Sequence, residues 1–304
     1  MGLTRRRFLL AATAAAFAGR ASAEHWQWRG SALGAEARIV LTGQRDEAEA
    51  ALAAVVAEID RLENIFSLHR PASQLSRLNA LGTLDTPSRD LVDALAASTR
   101  WKRLTGGAFD PAVQPLWQHW AQGAAESEHA ALDRVRKTEI GIDSGQISLS
   151  PGTALTLNGV AQGIVADRVT ALLIRRGFTP PLIDTGEMRL SGPQRRPVHL
   201  PAAGLRLQLA EAAVATSAPG ALAFDAGTHR HHLFEPRSGD SPGWWRSITV
   251  IAPTAEAADA LSTAFAVSAP EIVGDLASHL GDVAVIATRP DGRVRIFGRK
   301  KLSV

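Results

Sequence analysis

The chain has 304 residues but no cysteine and no tyrosine, only two methionines, and aromatic residues at 5%. Without cysteine there is no disulfide, no thiolate metal ligand and no cysteine nucleophile. A chain of this length buries a core without covalent help, so the absence is no obstacle to folding, even in an oxidising compartment. Also missing are a G-x-G-x-x-G loop, a Walker loop and any ordered serine, histidine and acid set, so neither a Rossmann dehydrogenase nor a P-loop enzyme is supported. No internal repeat or low-complexity linker interrupts the alanine-rich helices. The apolar run Phe8 to Phe17 is too short to span a bilayer, so no permanent membrane span is expected.

That run belongs to an export signal. Arg5-Arg6-Arg7-Phe8-Leu9 fits a twin-arginine pattern, and Ala21-Ser22-Ala23 is an A-x-A cleavage site. An ordinary secretory signal with extra arginines fits the same residues. Residues 1–23 are therefore expected to be cleaved, leaving 24–304 as a single periplasmic domain. The formal charge of +3 includes Arg5, Arg6, Arg7 and Arg20 with no acid among residues 1–23, so cleavage takes it to −1. A nucleic-acid partner is not indicated, despite the precursor pI of about 9.9.

The periodicities predict an α+β chain with largely antiparallel sheets and packed helices. Trp26 to Leu41 reads as two strands broken near Gly34. Helices are expected over Asp46–Asn64, Arg89–Leu104, Pro111–Gln122, Val160–Arg176, Ala255–Val267 and Glu271–His279. Short strands are expected at 140–143, 146–149, 154–157, 182–184, 205–209, 213–217, 228–234, 248–252, 283–288 and 294–298.

The most informative stretch is Leu157-Asn158-Gly159-Val160-Ala161-Gln162-Gly163. Thr153 to Leu157 alternates as a strand does, and Asn158 is a good N-cap for the helix that follows. A strand turning into a helix there presents free N–H groups and the positive end of a helix dipole, a place to hold phosphate. A tight turn using glycine only for packing fits equally. Later in the chain, Asp259, Ser262 and Thr263 share one helix face and offer hard oxygen donors, suited to magnesium rather than zinc. A solvated helix face capped by Thr254 has the same spacing.

Further motifs accompany these two. They are Phe66-Ser67-Leu68-His69-Arg70-Pro71, Ser73 to Asn79, Gly106-Gly107-Ala108-Phe109-Asp110-Pro111, Ala215-Thr216-Ser217, and His232-Leu233-Phe234-Glu235-Pro236. In this order and spacing the chain resembles the ApbE-like flavin transferases, the FAD:protein FMN transferase family, from about Gly30 to the C-terminus. The Asn-Gly-Val-Ala-Gln-Gly form resembles the branch associated with nitrous oxide reductase maturation.

The resemblance implies a set of roles. Magnesium would be held by Asp259, Thr263 and the Gly159 carbonyl. Ser262 sits where some members carry a second aspartate. FAD, the flavin donor, would be contacted by Leu33, His69, Ala108, Phe109, Asp110, Thr156, Gln162 and Leu233. FMN would pass to a threonine or serine of a flavoprotein acceptor, with release of AMP. His232 would be the general base, since neutral imidazole takes a proton near pH 7.

Local readings stand beside several of these roles. Asp110 before Pro111 is a ready helix start, and Phe109 fits a plain core position. Asp167 is either a site acid or an ordinary solvated one. His229 and His231 read as surface strand residues, with the pleat sending His231 and His232 to opposite faces. The chain departs from the family where His69 replaces the usual tyrosine, Gln162 a lysine or glutamate, and Thr156 an aspartate. A flavin-binding carrier and an FAD pyrophosphatase are the alternatives these departures leave open.

Overall fold

Leu33 and Gly34 both have positive φ (49° and 88°), which makes a tight two-residue turn between β1 (His25–Ala32) and β2 (Ala35–Thr42). The molecule is described by a computed structural model covering residues 25–302 except 124–125, 144, 179–181 and 225–229. The signal segment 1–23, Thr228 and His229 lie outside the described residues.

In chain order the next elements are α1 (Arg45–Phe66), α2 (Gln74–Leu81), β3 (Thr83–Asp85), α3 (Arg89–Leu104) and α4 (Gln114–Gln122). They are followed by α5 (Glu128–Arg136), β4 (Ile140–Ile142), β5 (Gln146–Leu149), α6 (Ala161–Arg175), β6 (Leu182–Asp184) and β7 (Met188–Leu190). The hairpin β8 (Arg196–Leu200) and β9 (Leu205–Leu209), then β10 (Ala212–Ser217) and β11 (Ser247–Ala252), complete the middle. The chain ends with α7 (Ala255–Ala266), α8 (Pro270–His279), β12 (Ala284–Thr288) and β13 (Val294–Gly298). Helix starts follow side-chain caps. Ser88 accepts from Leu91 N–H at the head of α3, and Thr254 accepts from Ala257 N–H at the head of α7.

Eight strands form one sheet in the order β1-β2-β6-β7-β10-β11-β12-β13, every neighbour antiparallel. The predicted α+β class holds. Alternate residues of the central strands go to two cores. Ala213, Ala215, Ile248 and Val250 join the large core with α1, α6 and α7. Val214, Ile251 and Ile286 face the opposite side, where the β8–β9 hairpin covers them. Among the described residues no helix is long and apolar enough to cross a membrane.

Three local expectations are corrected. Residues 153–157 are not a strand, because their backbone finds partners other than a neighbouring strand. Asn79 donates its amide to the Leu155 carbonyl and accepts from Leu155 N–H, both at 2.8 Å, while Thr156 N–H donates to the Pro111 carbonyl. Asn158 does not cap α6. The chain turns once more, with Ala161 N–H bonded to the Leu157 carbonyl at 2.7 Å, and the cap position falls to Val160, which offers no side-chain acceptor. Finally, the described part of 228–234 is loop, with a single bridge between Ala223 and His231.

Candidate functional site

The site begins where α6 and α7 cross. Gly163 of α6 lies so near α7 that a Cβ there would stand 2.2 Å from the Ala255 carbonyl oxygen. Only a residue without a side chain permits this approach. The crossing is then tied in both directions, four residues along each helix. Asp167 of α6 accepts from Ala255 and Glu256 N–H of α7 at 3.1 and 3.0 Å. Asp259 of α7 accepts from Gly163 N–H of α6 at 3.0 Å. The cap that Asn158 was expected to supply thus comes from the other end of the sequence. Asp167, which could have been a site acid, is a helix cap paired with Arg189 at 3.2 Å.

Asp259 is 3% exposed and Ser262 is 1% exposed, so the solvated-face reading of this helix is excluded. Burial pushes the Asp259 carboxyl up to about 7, against the lowering effect of the Gly163 N–H. Ser262 Oγ donates to the Asp259 carbonyl and bonds Ser217 Oγ of β10, which commits its one proton. Thr263 meets the Gly159 turn, since a Cβ on Gly159 would lie 2.9 Å from Thr263 Oγ1 and 3.2 Å from the Phe109 ring. The fold therefore gathers Gly159, Asp259 and Thr263 through the α6–α7 crossing. All three offer hard oxygens, which fits magnesium.

Sequence reasoning missed a second acid here. Glu187, at the head of β7, is 6% exposed and accepts from Thr216 N–H, but its Oε2 meets no hydrogen-bond partner among the described residues. Burial, then the neighbouring Asp259 and Asp184 charges, raise its carboxyl well above the ordinary range. No lysine or arginine among the described residues pairs with Asp259 or Glu187. Two buried acids without a cation cannot both ionise freely, and a divalent ion removes that conflict. No group of three His, Cys, Asp or Glu ligands occurs among the described residues, so such an ion needs the threonine and carbonyl oxygens as well. Glu187 was legible only as a lone acid after Gly186, with no periodic or motif signal.

Beside the Gly159 turn lies a cavity of about 890 Å³, within the size range of cofactor sites. His69, Asn79, Gln114, Trp117, Arg134 and Asn158 are among its lining residues. Of the expected FAD contacts, His69 alone lines it. The others do not line it. Phe109 is buried against Gly159. Asp110 caps the turn at Pro111 by accepting from Ala112 N–H, and pairs with Lys102 at 2.7 Å. Thr156 accepts from Asn158 N–H and so shapes the turn. Gln162 packs over Gly186 and accepts from Thr185 Oγ1 through its carbonyl. Leu33 donates its N–H to Glu63, Leu233 is buried in the core, and Ala108 opens on a separate depression beside Arg237.

The histidine loop reaches this cavity through aromatic contacts. Phe234 stacks on Phe224, whose ring meets the edge of Trp117 in the cavity wall. His231 is buried, contrary to the surface reading. It accepts from Leu233 N–H through Nδ1 and bonds the Pro242 carbonyl through Nε2, so both nitrogens are used. His232 Nδ1 bonds the Leu222 carbonyl at 3.2 Å, which leaves Nε2 as the acceptor, with no partner among the described residues. Burial holds both rings below their ordinary pKa, so both are neutral at neutral pH.

Comparison with known proteins identifies the fold and the family. The chain is 26% identical to an FAD:protein FMN transferase of Treponema pallidum, over 91% of this chain and 88% of that one. It is 28% identical to one of Klebsiella pneumoniae, covering 80% and 76%. The solved structure of the Pseudomonas stutzeri flavinyl transferase ApbE superposes with a TM-score of 0.79 at 22% identity, covering 92% of this chain and 97% of that one. The flavin transferase ApbE of Vibrio cholerae gives 0.75 at 23%, over 90% and 97%. The ApbE family profile matches residues 33–287, nearly the whole described fold, and the chain belongs to the ApbE family.

Proposed function

We propose that this chain is an FAD:protein FMN transferase that moves FMN from FAD to a threonine or serine hydroxyl and releases AMP. The carrying observation is the α6–α7 crossing, which sets the Asp259 carboxylate and the Thr263 hydroxyl against the Gly159 turn beside the cavity. These three residues would hold Mg²⁺, which when bound neutralises charge developing on the diphosphate. His232 Nε2 takes the proton of the acceptor hydroxyl, while the Leu222 carbonyl holds the Nδ1 proton and fixes the tautomer. The hydroxyl oxygen bonds the flavin-side phosphorus, the diphosphate bridge breaks, and AMP carries away its phosphate. The acceptor is a periplasmic or membrane-attached flavoprotein domain, reached after twin-arginine export. Nitrous oxide reductase maturation is the setting that the Asn-Gly-Val-Ala-Gln-Gly form supports.

The test combines protein, FAD, Mg²⁺ and a threonine-bearing acceptor domain, and reads in-gel flavin fluorescence and AMP. Transfer and AMP are expected together. AMP without labelled acceptor marks a pyrophosphatase, and bound flavin with neither product marks a carrier. His232→Ala is expected to retain FAD binding and to slow single-turnover transfer ~10²–10⁴-fold, with the residual rate rising with pH. Unchanged transfer removes His232 from the mechanism.

A further inference from the structure

The reading above uses one of two neighbouring carboxylates. Glu187 follows Gly186 (φ 94°) in the turn between β6 and β7, on the sheet side of the α6–α7 crossing. Its carboxylate takes Thr216 N–H from β10, which settles part of its hydrogen-bonding need. The remaining oxygen, Oε2, is buried without a donor. The amide covering this turn is that of Gln162, which is neutral, and it packs on Gly186. The one cation on β7, Arg189, is spent on Asp167 and the Leu190 carbonyl.

An unpaired buried carboxylate oxygen is costly, and glutamine would fit the same space with a donor of its own. Around Asp259 the donors are already committed: Ser262 to the Asp259 carbonyl and in a bond with Ser217, and Gly163 N–H to the Asp259 carboxylate. An oxygen buried without a donor beside a second carboxylate is suited to a partner from outside the chain, of positive charge and with affinity for oxygen. We propose that Glu187 belongs to the cation site, its Oε2 serving alongside Asp259 as a second carboxylate oxygen for one hard divalent ion. This inference rests on the Asp259, Thr263 and Gly159 reading and extends it to the sheet side of the crossing. Two carboxylates balance the charge of a divalent ion, whereas one leaves it in excess in a buried setting. The arrangement also ties the ion to both structural halves of the site, helix α7 and the β6–β7 turn.

Cation binding is measured without FAD, so turnover plays no part. Mn²⁺ serves as the probe, followed by loss of the free-ion electron paramagnetic resonance signal, with Mg²⁺ competition and thermal unfolding in parallel. The parent protein is expected to bind Mn²⁺, and Asp259→Asn to lose it. Glu187→Gln is expected to weaken Mn²⁺ roughly 10–100-fold, the scale found when groups supporting a metal site are removed. It should also unfold no earlier than the parent when cation-free, because a buried carboxyl whose ionisation burial and the neighbouring acids oppose has been replaced by a neutral amide. Parent-like Mn²⁺ affinity in Glu187→Gln, with Asp259→Asn still defective, overturns the role of Glu187 and leaves the cation reading standing. A lower cation-free melting temperature with unchanged affinity marks a purely structural residue and also overturns it. No Mn²⁺ binding by the parent removes the cation reading and this inference with it. Should Glu187→Gln fail to fold, Glu187→Asp decides: the charge stays, the oxygen withdraws, and parent-like affinity overturns the proposal.

Discussion

Asp167 and Asp259 occupy matching places at the two sides of one helix crossing. Each sits four residues beyond the contact of Gly163 with Ala255, and each accepts N–H groups from the opposite helix. Their surroundings differ. Asp167 takes two N–H groups and Arg189, and part of its side chain reaches solvent. Asp259 takes one N–H, no cation among the described residues, and is buried next to Glu187. The first is a helix cap whose charge is balanced. The second does the same job while keeping acceptor capacity in reserve, which is what a ligand needs. Matching geometry gives a shared structural role, and the unspent valence separates function from architecture.

The largest effect is expected from Asp259→Asn. It should reduce transfer to background while circular dichroism stays that of the parent, because the neutral amide oxygen can still accept from Gly163. Parent-like transfer would place the metal elsewhere and break the contrast. Gly163→Ala attacks both sides at once. Its Cβ collides with the Ala255 backbone, so urea unfolding should show a loss of ~1–3 kcal/mol, with transfer falling in the same variant. Asp167→Ala should cost about 0.5–2 kcal/mol, the range for a lost helix cap, yet leave transfer within a few-fold of the parent. A larger loss of transfer than of stability there would make the two aspartates functional equals.

The smallest effect is on pH, at the adjacent pair of histidines. Burial lowers the pKa of both His231 and His232, so the unfolded chain takes up protons first as pH falls. Their contribution to stability is present above about pH 6.5 and is lost below it as the unfolded-state rings protonate. His231→Gln should flatten that loss in a series of unfolding curves without moving the pH profile of transfer. A shifted profile would mean that His231, not only His232, faces the reaction.

The sequence carried the fold well where local rules decide. Arg89–Leu104 emerged with both ends correct because Ser88 caps it and Leu91 and Leu95 keep helical spacing. Helices α2 and α5 and the strands β3, β7 and β8 went unread, being short and lacking a marked period. The 153–157 strand failed for another reason. Its alternation is real, but the Asn79 side chain supplies the hydrogen bonds that a strand would, and a partner 76 residues away leaves no local trace. The gathering of Gly159, Asp259 and Thr263 was legible through family resemblance alone. Glu187 escaped that as well, since its significance lies in a missing partner, which no pattern of letters can display.

The bond from Gly163 N–H to Asp259 spans 96 residues of chain. A ribosome extends the polypeptide from its N-terminus, so α6 is made long before its cap. Until residue 259 has emerged, the head of that helix has open N–H groups, and the acids of the β6–β7 turn and of α7 have not met. Closing so long a loop is entropically unfavourable until the intervening strands have docked. The α6–α7 crossing is therefore among the last contacts of the fold that a growing chain can make. A nascent chain still lacking α7 has the sequence of the cavity walls on α2 and α4 but neither Asp259 nor Thr263 to set beside them.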